Sequence, residues 1–172
     1  ALFEGFEDLP RDLKRRSMKH SRTLKRVIES IRNLAYDLRP PSLDQLGLVK
    51  TLTRYCEDFQ ETNMLSVDFY TAGVENLDLD FDTEINIYRV LQEALNNIKK
   101  HANATYVSIH FITSFPDIIL KIVDDGDGFN IKDRAEAALR EKRMGLKSME
   151  ERARLLAGDF TVRSMVGKGT MV

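Results

Sequence analysis

Leu24, Val27, Ile31, Leu34 and Leu38 recur at alternating steps of three and four residues. That spacing of about 3.5 predicts the seam of a coiled coil or helical bundle. Pro40 and Pro41 cannot continue such a helix and push Arg39 toward extended geometry, so a hinge is predicted at "RPPS". Leu48, Leu52, Cys56 and Phe59 resume helical steps, with Ser42 or Asp44 as the predicted cap. The period then falls to two. Leu65, Val67 and Phe69 alternate with polar neighbours, and "TYVSIHF" and "DIILKIV" read as two further strands around a turn at "SFP". Between the first strand and this pair, Leu91, Ala94, Ile98 and Ala102 line one side of a helix, with Asp82 or Thr83 expected at its cap.

Beyond Gly126 the chain is charged and loop-like as far as Met144, with room for a short helix at "RAEAALREK". "GLKSMEERARLLAG" reads as a helix closed by Gly158, and "DFTVRSMVGKGTMV" as two strands joined by a glycine-bearing turn. The order predicts an α/β fold, a two-layer α/β sandwich with helices on one sheet face, preceded by a long helix. The domain boundary falls at the proline pair, giving a helical segment over 1–40 and a compact domain over 41–172.

Composition narrows the function. With 26 basic and 27 acidic residues the net charge is -1, which argues against a dedicated nucleic-acid surface. The segment "RDLKRRSMKHSRTLKR" is locally basic. It reads as a solvated helix face, a docking surface for an acidic receiver domain or a nucleic-acid patch. Cys56 is the sole cysteine, which leaves no internal disulfide or zinc cluster and fits a reducing, cytoplasmic compartment, with Cys56 itself in the core. No apolar run approaches the ~20 residues of a membrane span. Ala1 at the start, and an end at "GTMV" inside an apparent strand, suggest a piece of a longer polypeptide, so a membrane anchor elsewhere stays open.

Candidate chemistry gathers in three places. Glu93, Asn97 and Lys100 fall within a narrow sector of one helix at about 100° per residue, opposite its aliphatic side, with His101 flanking. That face is either solvated surface or the wall of a site. "VDDGDGF" follows an aliphatic strand. Asp124 at its end can accept from an exocyclic amine, and Gly126 and Gly128 admit a flat ligand, although an Asp-Gly turn between strands is also common. Gly145 precedes a helix, a geometry that holds phosphate, and "GKGT" adds Gly167, Gly169 and Thr170.

The Asn helix, "DDGDG", "MGLKSMEER" and "GKGT", in this order, closely resemble the N, G1, G2 and terminal glycine motifs of the GHKL ATPases, specifically sensor histidine kinases. "IRNLAYDLRPPSLDQLGLVKTL" resembles the junction between dimerisation helices and catalytic domain in their nitrate-sensing and degradative-enzyme-regulating branch. The resemblance implies the Bergerat fold and an ATP-binding catalytic domain that transfers the γ-phosphoryl group to a histidine, for relay to a response-regulator receiver domain. By resemblance Asn97 is the Mg²⁺ ligand, Glu93 polarises or orients the attacking group or a metal-bound water, and Lys100 and His101 stand at the phosphate end, where His101 is also open to a structural reading. Asp124 reads adenine beside Gly126 and Gly128, while Gly145 and Leu146 lie beneath the phosphates. Lys142 and Arg143, in a mobile lid over 129–144, are either phosphate contacts or solvated charge. Gly169 and Thr170 support the adenine end.

The acceptor motif of this branch is missing. Neither His20 nor His110 matches it, so the acceptor is expected upstream of Ala1, the full-length protein is expected to dimerise, and this chain is not expected to phosphorylate itself. Two further readings share the pocket: an interaction module with a vestigial ATP site, and an anti-sigma-factor type serine kinase.

Overall fold

The computed structural model describes Leu24 and residues 40–74, 77–130 and 145–172. The expected helical seam, apart from an exposed, helical Leu24, lies outside these residues, as do His20, Lys142, Arg143 and nearly all of the expected lid. The chain divides into two compact units, 1–41 and 42–172.

A short helix α1 (Pro41–Leu46) leads into α2 (Leu48–Asn63). The predicted caps do not operate here: Ser42 and Asp44 lie inside α1, and the N-cap of α2 is Gly47, whose φ of 76° breaks the helical path between the two. Strand β1 (Ser66–Ala72) follows, then α3 (Phe81–His101), β2 (Tyr106–Ser114), β3 (Asp117–Asp124), α4 (Gly145–Leu155), β4 (Arg163–Ser164) and β5 (Thr170–Met171). The cap of α3 is Asp80, two residues ahead of expectation. Its carboxylate accepts the Thr83 N–H at 2.8 Å and the Thr83 hydroxyl at 2.9 Å, which leaves Asp82 in the first turn to complement the helix dipole.

The sheet runs β1-β2-β3-β5-β4. Strands β1 and β2 are parallel, joined by the α3 crossover, and every other pair is antiparallel. The last two strands are shorter than "DFTVRSMVGKGTMV" predicts. Asp159 to Val162 stay outside the ladder, and Gly167 and Gly169 both turn with φ of 75°. Helix α4 ends at Leu155, and Ala157, not Gly158, takes the left-handed conformation, with φ of 53°. Gly158 instead donates its N–H back to the Ala153 carbonyl at 2.9 Å.

Period-two patterning places the core. Val107, Ile109 and Phe111 of β2 are fully buried while Tyr106 and His110 are exposed, so one sheet face is covered and the other open. Leu52 of α2, Leu91 and Leu95 of α3 and Met149 of α4 complete that core without solvent exposure. Cys56 is buried among them, and burial pushes its thiol up to about 12, with Glu57 adding to the shift. Among the described residues no helix is long and apolar enough to cross a membrane.

Candidate functional site

The alternation that buries Ile122 also buries the strand's last residue. Ile118, Leu120, Ile122 and Asp124 share the inward face of β3, so a carboxylate ends a row of aliphatic side chains and is only 5 % exposed. Burial raises the pKa of Asp124, opposed by the N–H groups of Gly126 and Thr170, which favour the anion. The Gly126 N–H donates to Oδ1 at 2.9 Å.

Glycine is required around this acid by space. A Cβ on Gly169 would strike the Asp124 carbonyl oxygen, and one on Gly126 would strike the Ala102 carbonyl at the end of α3. Gly128, at φ of 59°, is pressed against the Met165 carbonyl. Further bonds tie this loop to the turn after α3. Asn103 Nδ2 donates to Asp127 at 2.8 Å, and Asp127 N–H donates to the Ala102 carbonyl at 2.7 Å. Asp125 accepts the Thr105 hydroxyl at 2.7 Å and the Tyr106 N–H at 2.9 Å, and these bonds hold its pKa below the ordinary range.

On α3, Glu93 and Asn97 are half-buried. Asn97 Nδ2 donates to Glu93 Oε1 at 3.3 Å, which uses one of its two N–H groups and turns the amide oxygen to other partners. Helix α4 closes over them. A Cβ on Gly145 would collide with Glu93 Oε1 and come within 3.1 Å of Asn97 Nδ2, so the first turn of α4 lies directly against this pair. Farther along, Arg152 donates to Asn86 Oδ1 at 3.3 Å. Since Gly145 meets Glu93 and Asn97 while Arg152 meets Asn86, α4 runs antiparallel along α3.

A cleft of about 530 Å³, counted out to its open mouth, opens between these parts. Of the residues singled out in the sequence, Asn97, His101, Asp124, Gly128, Leu146 and Thr170 line it. Gly126 and Gly169 pack beside Asp124, and Glu93 and Gly145 beside Asn97, while Lys100 is exposed outside the lining. Sequence reasoning missed the apolar walls, Ile98, Ile122, Phe129, Met149 and Val172. It also missed Ser164, whose hydroxyl accepts the Phe129 N–H at 2.8 Å and lies 2.9 Å from that of Thr170. Apolar periodicity marks Ile98 and Ile122 as inward-facing, because core and cleft share one face, but Phe129 and Val172 lie outside the periodic elements. Ser164 left no sequence signal.

Residues 82–172 match the family described as "Histidine kinase-, DNA gyrase B-, and HSP90-like ATPase". Over 160 residues the chain is 32% identical to the signal transduction histidine-protein kinase/phosphatase DegS of Brevibacillus brevis, covering 91% of this chain and 40% of that protein. Over 143 residues it is 37% identical to the sensor histidine kinase ComP of Bacillus subtilis (strain 168), covering 83% of this chain and 18% of that protein. The chain thus spans less than half the length of either relative. The histidine kinase domain of the blue-light activated histidine kinase of Erythrobacter litoralis EL346 superposes with a TM-score of 0.53 at 19% identity, over 70% of this chain and 56% of that one. A longer structure of that kinase gives 0.55 at 18% identity, over 72% and 39%. At those identities the likeness speaks for the fold.

Proposed function

Because the chain belongs to the histidine kinase-, DNA gyrase B- and HSP90-like ATPase family, we propose that its cleft is the ATP site of a sensor histidine kinase. It would serve transfer of the γ-phosphoryl group to a histidine on a dimerisation hairpin, for relay to a response-regulator receiver. The observation that carries the reading is the buried Asp124 carboxylate at the end of an apolar cleft, ringed by glycines no side chain could replace. Beside the backbone N–H groups it already accepts, such an acid has lone pairs left for a donor on its ligand, and the exocyclic amine of adenine is one. Ile98, Ile122 and Met149 offer the flat, apolar surround that a purine ring fills.

The phosphates then run toward Asn97 and His101. Gly145 and Leu146 bring the first turn of α4 and its positive dipole end to that side, and Lys100 supplies a cation one turn beyond Asn97. Mg²⁺ suits the donor set, since the Asn97 amide oxygen is a hard ligand left over once its nitrogen is bonded to Glu93. When bound, that ion offsets phosphate charge. Glu93, held against Asn97, would orient an attacking imidazole.

Calorimetric titration of the chain with ATP, with and without Mg²⁺, tests the reading. Saturable binding, tightened by the metal, is expected. Absence of any nucleotide binding would falsify it. Transfer of γ-label to a supplied dimerisation hairpin then tests the kinase step.

A further inference from the structure

Ser164 stands behind the cleft, outside its lining, and its hydroxyl has three partners. The Phe129 N–H donates to Oγ at 2.8 Å, Oγ donates to the Gly169 carbonyl at 3.2 Å, and the Thr170 hydroxyl lies 2.9 Å away. A hydroxyl has one proton and two lone pairs. One assignment satisfies every contact: Ser164 gives its proton to Gly169 and accepts from both Phe129 N–H and Thr170 O–H. The reverse, with Ser164 donating to Thr170, forfeits the bond to Gly169. The Thr170 proton therefore points away from the cleft that its side chain lines, and Thr170 faces a ligand as an acceptor.

We infer that Ser164 is a positioning residue that fixes the Thr170 hydroxyl as an acceptor and thereby makes the cleft select a 6-amino purine over a 6-oxo purine. The inference rests on the nucleotide reading above. Asp124 alone discriminates weakly, because a 6-oxo purine carries an N1–H beside its carbonyl and can offer that to a carboxylate. A second fixed acceptor changes the balance. A 6-oxo group would then face lone pairs on both sides, and an acceptor buried without a donor is penalised more heavily than a satisfied bond is rewarded. Released from Ser164, the Thr170 hydroxyl is free to rotate and donate to the oxo group.

The experiment measures dissociation constants of the whole chain for ATP and inosine triphosphate, with Mg²⁺, and reads their ratio. Ser164→Ala is expected to lower the preference for ATP by about three- to tenfold, and Ser164→Thr, which keeps the hydroxyl, to restore it. A purely structural role would weaken both nucleotides equally, and an unchanged ratio in Ser164→Ala overturns the inference while leaving the ATP site intact. If Ser164→Ala does not melt cooperatively, Thr170→Val decides: a reduced preference supports the relay and an unchanged one overturns it. Wild-type chain that binds neither nucleotide overturns the nucleotide reading and this inference together.

Discussion

Asp124 is under two opposed demands, since the burial that suits it to an amine also penalises its charge. Its raised folded pKa means that the native state holds the proton more tightly than the unfolded chain. The stability it contributes is therefore full below the ordinary value of 3.8 and is lost as pH rises through the folded value. Asp124→Asn is expected to raise the urea midpoint of the ligand-free chain at pH 7 while cutting ATP affinity by about tenfold or more. Unchanged affinity in calorimetry removes Asp124 from the site. Its neighbour Asp125, lowered by the Thr105 hydroxyl and the Tyr106 N–H, behaves oppositely: its contribution is present above the ordinary carboxylate value and lost as pH falls. Asn97→Ala should weaken ATP binding more with Mg²⁺ than without it, because the lost group is an oxygen donor. Equal losses in the two titrations would rule out metal ligation there.

At the scale of elements, the α3–α4 pair decides whether the parts of the cleft face one another. Met149 anchors α4 in the core, and Gly145 sets how closely its first turn approaches Glu93 and Asn97. Alanine has the higher helix propensity, but Gly145 is the first residue of α4, where the gain is smaller than the about 1 kcal/mol of a helix interior. Contact with Glu93 Oε1 opposes that gain. We expect Gly145→Ala to lower both the melting temperature and ATP affinity. Gly158→Ala at the other end of α4 meets only the Ala153 carbonyl at 3.4 Å, an ordinary contact, and should change neither. A Gly145→Ala chain that melts and binds like the wild type would show that α4 yields at no cost.

For the whole molecule, core and cleft share one sheet face, so ligand binding and stability are linked. ATP with Mg²⁺ at about 100 times its dissociation constant should add about 2.7 kcal/mol to stability. For a unit of this size that corresponds to a rise in melting temperature of roughly 10 °C. No shift by calorimetric scanning at saturating nucleotide would contradict the site. Leu95→Ala, at a fully buried position of α3, should cost about 2–5 kcal/mol. It should also reduce affinity less than Asp124→Asn does, because it does not line the cleft.

The order of elements, the inward face of each strand and the burial of Asp124 were legible in the sequence, because periods of two and 3.6 are local properties of the backbone. "DIILKIVD" alone places its last acid on the side of Ile118, Leu120 and Ile122. Caps were legible only approximately: Asp80, Asp82 and Thr83 are all competent, and the turn before α3 selects Asp80. Tertiary structure alone decided that Gly145 lies on the Glu93–Asn97 pair, that Met149 and Val172 face the same cleft, and that Ser164 touches Thr170 and Phe129. These are distances between elements far apart in the chain. They follow from how closely side chains let helices and strands pack, which no local pattern of hydrophobic and polar residues encodes.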